Sequence, residues 1–384
     1  MFTILKMIKK LFIRVIFLVC RIIFNFFHDI YDLLNIKYHS KKFRIMEVHN
    51  NNSIIKKNSI IAIFVIYQKN NIPFYIKNVL NVLNLLEIDI IISVNDDLVT
   101  EEINWLIKHS MRCIVRKNFG RDFCAYKDAI ELTDLKEYEK LILLNDSLIY
   151  FSKNLLALFK FLINQPKSLV GLSESFENSW HIQSHFLILT CKIFLSNNFK
   201  NFWNDYKPFN SRSHSIIKGE IKFSEYVLKY YAQDCFVYYS INTINKFISC
   251  SDVSRINFAK NIYHFIPNNA SIEQYYRDFS SAYINDFNEK LLVDIFLNSI
   301  LSNLEKMNPS HALVFLTAYI TNTCLIKRDL VFKESYSLTQ VENALLTLNL
   351  DRSELEYTIR EYTLRGSVAK LPYYFRFKFQ LGFL

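Results

Sequence analysis

From residue 60 onward, the chain alternates short apolar runs with longer amphipathic stretches. The runs at 60–67, 89–94 and 112–116 are mostly apolar over the length of a strand, which predicts buried β-strands. The stretches at 73–86, which begins with a proline, and near 99–109 repeat apolar residues at helical spacing. Because strands alternate with helices, we predict an α/β fold with a mostly parallel sheet and crossover helices.

Polar clusters follow three of the predicted strands, the last at a break in the strand at 140–151. The clusters are Asn95-Asp96-Asp97, Asn118-Phe119-Gly120-Arg121-Asp122 and Asn145-Asp146-Ser147. Ligands of parallel sheets bind beyond the carboxyl ends of the strands, so we expect the three clusters to converge. Their carboxylates and amides suit a nucleotide bound with Mg²⁺ or Mn²⁺, and Asp146 would be the metal ligand. Each cluster alone also fits a helix cap or a turn.

Composition narrows the classes of protein and of partner. The 384 residues are 51% hydrophobic and carry a formal net charge of +10, which indicates a globular protein with an anionic partner. A membrane surface, a phosphorylated substrate or nucleic acid would each satisfy that charge. The seven cysteines contain no CxxC pair, so neither a disulfide framework nor a zinc site is indicated, and a reducing cytosol fits best. No P-loop or GxGxxG motif is present.

The first thirty residues are apolar but interrupted by charge. Their uncharged runs are far shorter than the ~18 residues that a membrane-spanning helix needs, and no cleavage site for secretion follows. On a helix, one narrow stripe is polar and the remaining surface is apolar; the stripe holds Lys10, Arg14, Arg21, Asn25 and His28. This pattern fits a helix lying on an anionic membrane, and equally a helix packed on the protein's own core.

The last third, residues 251–384, shows helical spacing and no cluster of nucleophiles or metal ligands. Its final segment interleaves tyrosine and phenylalanine with Lys370, Arg376 and Lys378. Aromatic and basic residues mixed in this way occur at membrane interfaces and in single-stranded nucleic-acid sites. A plain packed strand is the third possibility, and we favour the membrane over nucleic acid.

Several motifs of the middle region occur in the same order in a known family. These are R-x-N-x-G-R-D-F-x-A-Y-K from residue 116, the strand LILLNDS, the segment HIQSHF with the helix NFKNFW after it, and Glu220 before the helix KFSEYVLK. Over about residues 60–240, the chain resembles the rhamnan synthesis protein F family of bacterial polysaccharide and lipopolysaccharide enzymes. The resemblance implies a GT-A-like, Rossmann-type glycosyltransferase fold and a nucleotide-sugar donor.

The resemblance also implies roles for individual residues. Asn145-Asp146-Ser147 occupies the position of the Asp-x-Asp metal motif of GT-A enzymes, although Asp146 is its single carboxylate. Arg121 is implied as a clamp on the donor diphosphate, since a guanidinium grips two oxygens. The remaining implied donor-binding residues are Asp96, Asp97, Asn118, Gly120, Asp122 and Asn145.

Transfer to an acceptor hydroxyl with inversion needs a general base. The candidates are Glu174, His181, His185, Glu220 and Glu225. We favour His181 and Glu220, which match the family pattern as catalytic residues. An alternating strand would also place His181, Gln183 and His185 on one face.

We therefore predict three regions: an amphipathic membrane-associating segment at 1–50, a GT-A-like catalytic domain at 55–250, and a helical region with an aromatic and basic tail at 251–384. The predicted function is sugar transfer from a nucleotide sugar to a cell-surface polysaccharide or lipopolysaccharide acceptor, on the cytoplasmic face of the cell membrane. The alternative is a non-catalytic, membrane-associated protein that binds or assembles glycans with a degenerate GT-A fold.

Overall fold

The computed structural model describes residues 36–51, 58–177, 179–240, 286–304 and 308–380, with isolated positions between 12 and 34 and at 245 and 265. All five residues of the predicted N-terminal stripe therefore lie outside the described residues. Within them, no helix is both long enough and apolar enough to cross a bilayer.

Eleven strands form in the described residues. They are β1 (Ile45–Asn50), β2 (Ile60–Ile66), β3 (Asp89–Asn95), β4 (Arg112–Arg116), β5 (Lys140–Asn145), β6 (Leu148–Tyr150), β7 (Leu169–Ser175), β8 (His181–Ile182), β9 (Phe186–Thr190), β10 (Cys235–Tyr239) and β11 (Leu325–Lys327). The main sheet has the order β1-β4-β3-β2-β5-β9-β7-β10, and β8 pairs with β7. Its centre, β4-β3-β2-β5, is parallel. The edge strand β1 runs antiparallel to β4, and β9 runs antiparallel to both β5 and β7.

Helices cover both faces of this sheet. They are α1 (Lys41–Arg44), α2 (Phe74–Leu85), α3 (Thr100–Lys108), α4 (Arg121–Glu131), α5 (Leu155–Ile163), α6 (Cys191–Phe194), α7 (Asn197–Asp205), α8 (Arg212–His214), α9 (Lys222–Tyr231), α10 (Asp286–Leu304), α11 (Pro309–Ala312), α12 (Val314–Thr321), α13 (Leu338–Thr347), α14 (Arg352–Arg365) and α15 (Tyr373–Gln380). A π-helical segment, Ser215–Ile221, joins α8 to α9, and 3₁₀ turns lie at Ile36–His39, Ala232–Asp234 and Val368–Lys370.

Strand β2 shows why the sheet needs helices on both sides. Its alternate residues Ile61, Ile63 and Val65 enter one apolar core, and those between them enter the other. All of these side chains are almost fully buried, as expected for the centre of a parallel sheet. The predicted α/β class with a mostly parallel central sheet and flanking helices is thereby confirmed.

The last third of the chain joins this core. Phe315, Leu345 and Tyr362 are fully buried among the residues that cover one face of the sheet. Strand β11 pairs antiparallel with β6, so that Lys327 lies opposite Leu148. This pairing places Lys327-Arg328-Asp329 beside the strand end at Asn145-Asp146-Ser147.

One local prediction and one of the open alternatives differ from the structure. The alternating strand at 181–185 is wrong, because β8 ends at Ile182 and the chain turns before β9 begins at Phe186. The turn forms because the amide of Ser184 donates to Glu220 rather than to a neighbouring strand. The final segment is no strand either: Tyr373–Gln380 is helical.

Candidate active site

A cleft of about 860 Å³ opens at the carboxyl ends of β2, β4 and β5. One side, here called the strand-end wall, consists of residues that follow these strands: Tyr67, Asn118, Arg121, Asp122, Asn145, Asp146 and Ser147. The opposite side, here called the C-terminal wall, consists of Asn308, His311, Lys327, Arg328, Asp329, Phe332, Lys333, Arg365, Leu371 and Phe375. Residues 177–220 contribute the remaining lining, which includes His181, Arg212 and Glu220.

Seven of the ten predicted site residues line this cleft: Asn118, Arg121, Asp122, Asn145, Asp146, His181 and Glu220. Asp96, Asp97 and Gly120 do not. Asp96 and Asp97 are exposed on the turn after β3, where the carbonyl of Asp97 accepts from the amide of Asn70. The cleft therefore gives no support to their predicted role in donor binding.

Gly120 has a backbone role. It begins α4 with a φ of 74°, a left-handed conformation that favours glycine. A Cβ at this position would lie 2.6 Å from Cβ of Cys124 and 3.1 Å from Cβ of Pro208, so protein already fills that space. The predicted role of Gly120 in donor binding is unsupported, because the space that a side chain would occupy is filled by Cys124 and Pro208.

Other residues of the same motif hold the scaffold together. Asp128 on α4 is fully buried between Arg44 and Arg116, whose Nε atoms donate to its Oδ2 at 3.1 and 3.2 Å. Lys127 donates to the main-chain carbonyls of Trp203, Asn204 and Tyr206 near the end of α7. These contacts fix the start of α4, and with it the two cleft residues that follow Gly120.

Arg121 is strained and only partly satisfied. Its φ of 54° is a left-handed value that a residue with a side chain rarely adopts, and such strain clusters at functional sites. Its Nε is buried without a hydrogen-bond partner among the described residues. Burial and the nearby Arg212 both lower the pKa of the Arg121 guanidinium. Arg121 therefore has a buried donor that is available to a ligand in the cleft.

Asp122 and Asn145 form a polar contact across the strand-end wall. Nδ2 of Asn145 donates to Oδ2 of Asp122 at 2.8 Å, and Oδ1 of Asn145 accepts from the amide of Ser147 at 3.0 Å. Burial and the neighbouring Asp146 raise the pKa of Asp122 to about 6. The Asn145 amide is thus fixed in one orientation by partners on both of its ends.

Asp146 is ion-paired with the C-terminal wall. Its Oδ2 accepts from the amide of Tyr67 at 3.0 Å, from Nε2 of Gln68, and from Nη1 of Arg328 at 3.0 Å. Arg328 also donates to Glu361 at 3.1 Å. Burial raises the pKa of the Asp146 carboxyl, and Arg328 partly offsets that effect.

These contacts leave the Asn145-Asp146-Ser147 triplet a poor fit for a divalent metal. Oδ2 of Asp146 already accepts three donors, one of them a cation. Lys327 lies 3.2 Å from the hydroxyl of Ser147 and would repel a metal there. In the described part of the chain, no group of three His, Cys, Asp or Glu side chains is arranged to hold a metal ion.

Sequence reasoning did not find the cations of the C-terminal wall. Nζ of Lys327 lies 3.3 Å from Nδ1 of His185, and Lys333 pairs with Asp329 at 2.7 Å. Burial and the nearby Arg212 lower the pKa of both lysines, that of Lys333 to about 8. The one available signal was the charged triplet Lys327-Arg328-Asp329 directly after the apolar β11.

His181 and Glu220 meet at the cleft, as their joint prediction as catalytic residues requires. Nδ1 of His181 lies 2.9 Å from the carbonyl of Ser179 and donates to it, which leaves Nε2 facing Oε2 of Glu220 at 3.8 Å. The other carboxylate oxygen, Oε1, accepts from the amide and hydroxyl of Ser184 at 3.0 and 2.6 Å. Glu220 lies in the π-helical segment, where Gly219 permits close packing on the ring of Phe123.

The other candidate bases differ from this pair. Glu174 and Glu225 do not line the cleft. His185 does, but both of its ring nitrogens have partners: Lys327 donates to Nδ1, so Nε2 carries the proton and donates to Ser173 at 2.9 Å. Burial and Lys327 lower the pKa of His185 well below its usual range. The neutral imidazole of His185, with a hydrogen bond at each ring nitrogen, holds Lys327 in place and has no free nitrogen to accept a proton.

This chain is similar to several known glycosyltransferase structures. Solved structures similar to this chain include core-mannan synthase A from Aspergillus fumigatus in its Mn/GDP form (TM-score 0.30, 10% identity, 50% of this chain and 76% of that chain). The glycosyltransferase GlyE of Streptococcus pneumoniae TIGR4 is similar with a TM-score of 0.30 and 14% identity, over 65% of this chain and 64% of that chain. The mannosyltransferase Ktr4p of S. cerevisiae has a TM-score of 0.23 and 9% identity, over 45% of this chain and 68% of that chain.

A search of the curated proteins found no match. The sequence model of one family, described as rhamnan synthesis protein F, matches residues 90–249, which include β3 to β10 and most of the strand-end wall. Over these residues, the chain carries the pattern of the rhamnan synthesis protein F family, as its motifs indicated.

Proposed function

We propose that this protein is a glycosyltransferase that moves a sugar from a nucleotide-sugar donor to a hydroxyl group of a growing cell-surface polysaccharide or lipopolysaccharide. The observation that carries the proposal is the joint presence, in one cleft, of Arg121, whose buried Nε has no hydrogen-bond partner in the described part of the chain, and the His181–Glu220 pair. The family match over residues 90–249 supports sugar transfer as the reaction class.

The cationic side of the cleft suits the donor. A nucleotide sugar carries its charge on a diphosphate, and that charge increases when the glycosidic bond breaks. Guanidinium groups grip such oxygens in pairs, and a buried donor without a protein partner, as on Arg121, is prepared for this bond. Asp122 and Asn145, fixed against each other beside Arg121, offer oxygen and amide groups to sugar hydroxyls.

The His181–Glu220 pair suits the acceptor. Neutral His181 has its lone pair on Nε2, since Nδ1 donates to Ser179. In a single displacement, the acceptor oxygen attacks the anomeric carbon while its proton moves to Nε2 of His181. The bond from the anomeric carbon to the phosphate oxygen breaks, and the nucleoside diphosphate leaves with the electron pair. Glu220, 3.8 Å away, stabilises the imidazolium that forms, and the product has inverted configuration.

The test is turnover of UDP-, GDP- and dTDP-sugars by the purified full chain, with and without glycan acceptors. We expect release of nucleoside diphosphate from one donor. Glu220→Gln should lower kcat at least ~10²-fold while donor binding stays within about threefold, because Glu220 acts on the acceptor side. Glu225→Gln, an exposed carboxylate outside the cleft, is the matched control. Donor binding without turnover by any donor and acceptor would instead favour a non-catalytic glycan-binding protein.

We further propose that the protein works at the surface of an anionic membrane, on the cytoplasmic side, where a lipid-linked acceptor is within reach. Helix α15 exposes Tyr373 and Tyr374 beside Arg376 and Lys378, and its Phe375 lines the cleft. Described apolar side chains near the N-terminus, such as Leu34 at 78% exposure, add a second apolar surface. Flotation with anionic vesicles should recover the full chain, and deletion of residues 1–30 should reduce that recovery; equal recovery would contradict the anchor.

A further inference from the structure

The cations of the cleft fall into two groups. Arg328 is compensated: it bonds to Asp146, Glu361 and Gln68 and serves to join the two walls. Arg121 and Arg212 make no ion pair with a carboxylate in the described part of the chain, although both line the cleft. Positive charge that the protein itself does not neutralise at a cleft indicates an anionic ligand.

Three cations that line the cleft come from different parts of the chain. Arg121 begins α4 on the strand-end wall, Arg212 begins α8, and Lys327 ends β11 on the C-terminal wall. Burial and repulsion from Arg212 lower the pKa of each of the others, and the carboxylate of Asp122 partly offsets that effect on both. A ligand with several negative oxygens would remove this repulsion, which makes the cluster an anion site spanning both walls.

Oδ2 of Asp146, by contrast, already accepts hydrogen bonds from Tyr67, Gln68 and Arg328. A divalent cation bound to its carboxylate would lie beside the guanidinium of Arg328, which holds Oδ2 at 3.0 Å. The neighbouring Asn145 and Ser147 do not provide further metal ligands, because Asn145 is hydrogen-bonded to Asp122 and Ser147 lies next to Lys327. The charge that a metal would supply is therefore already present in side chains.

We propose that, in the sugar transfer proposed above, the donor diphosphate is neutralised by Arg121, Arg212 and Lys327 instead of by a divalent metal held at Asp146. Arg121 and Arg212 grip phosphate oxygens with their guanidinium groups, and Lys327 reaches them from the opposite wall, oriented by His185. Asp146 serves as the counter-ion that positions Arg328 and thereby keeps the walls together.

The test is binding of UDP, GDP and dTDP to the full chain by calorimetry, in EDTA and then in Mg²⁺ or Mn²⁺. We expect one of them to bind in EDTA, with a Kd that changes less than about threefold when metal is added. Arg212→Met should weaken that binding in EDTA at least ~10-fold, and Arg352→Met, an exposed arginine on α14, should not. Thermal unfolding checks that both variants are folded.

Three results would overturn the proposal in distinguishable ways. Binding or turnover that requires Mg²⁺ or Mn²⁺ would refute the side-chain cluster while leaving the proposed glycosyltransferase intact. Metal-independent binding that survives Arg212→Met in a folded variant would remove Arg212 from the site. Absence of binding by all three nucleotides under both conditions would refute this proposal and the proposed function together.

Discussion

The two walls of the cleft differ in how the chain builds them. The strand-end wall comes from residues within a few positions of a strand end, between Tyr67 and Ser147. The C-terminal wall comes from residues more than 150 positions further along, brought there by the pairing of β11 with β6. The first wall obeys a general rule for parallel sheets, whereas the second depends on one short antiparallel pairing. The sequence therefore allows one wall of the site to be predicted and not the other.

The two walls are connected by the ion pairs of Arg328, and breaking them should have the largest effect. Arg328→Met leaves Asp146 and Glu361 largely buried without their cation, so we expect the free energy of unfolding to fall by about 3 kcal/mol. Denaturant unfolding measures this loss. Adding Asp146→Asn should recover part of it, because the uncompensated carboxylate is then gone. If Arg352→Met lowers the free energy of unfolding as much, the ion pairs of Arg328 stabilise the protein no more than an exposed arginine does.

Glycine is needed at the start of α4 for two reasons, a left-handed backbone and a lack of space for a Cβ, and three glycines allow these to be measured separately. Gly366 has a φ of 70° and open space around a Cβ, while Gly219 has an ordinary φ but would meet the ring of Phe123 at 2.7 Å. Gly120 combines both constraints. We expect Gly366→Ala and Gly219→Ala to cost about 1 to 2 kcal/mol each, and Gly120→Ala about 2 to 3 kcal/mol. Stability of Gly120→Ala close to wild type, with donor binding lost, would support the predicted role of Gly120 in donor binding.

The smallest effect concerns pH and the C-terminal wall. Lys333 faces Asp329, His311, Arg212 and Lys327, and burial lowers its pKa to about 8. Below pH 8 the ammonium is charged and attracts phosphate; above pH 8 it becomes neutral. Nucleoside diphosphate affinity should therefore fall by up to ~10-fold between pH 7 and pH 9. Lys333→Arg, which stays charged, should reduce that fall. An equally steep fall in this variant would exclude Lys333 as its cause.

The sequence predicted the strands and the strand-end wall because hydrophobic periodicity and the sheet rule are local. Helix α2 and strands β2 to β5 lie where their patterns indicated, and Asp122 and Asp146 converge as expected. The partner of Asp146 was not predictable, since Arg328 reaches it only through the distant pairing of β11.

The roles of individual residues within the motif at 116–127 could not be predicted from the sequence pattern either. Arg116, Gly120 and Lys127 support the scaffold, and Arg121 and Asp122 line the cleft, although all five occur in one run of twelve residues. The direction of each side chain depends on the helix start at Gly120 and on what packs around α4. Spacing alone does not contain that information.

The most direct test asks whether both walls hold one ligand. The Kd of whichever of UDP, GDP and dTDP binds the wild type is measured for Arg121→Met on the strand-end wall, Lys327→Met on the C-terminal wall, and the exposed control Lys136→Met. Because both side chains are proposed to contact the same diphosphate, each cleft variant should bind at least ~10-fold more weakly, with the control unchanged. A loss confined to Arg121→Met, with folded Lys327→Met within about twofold of wild type, would show that the C-terminal wall does not hold the donor.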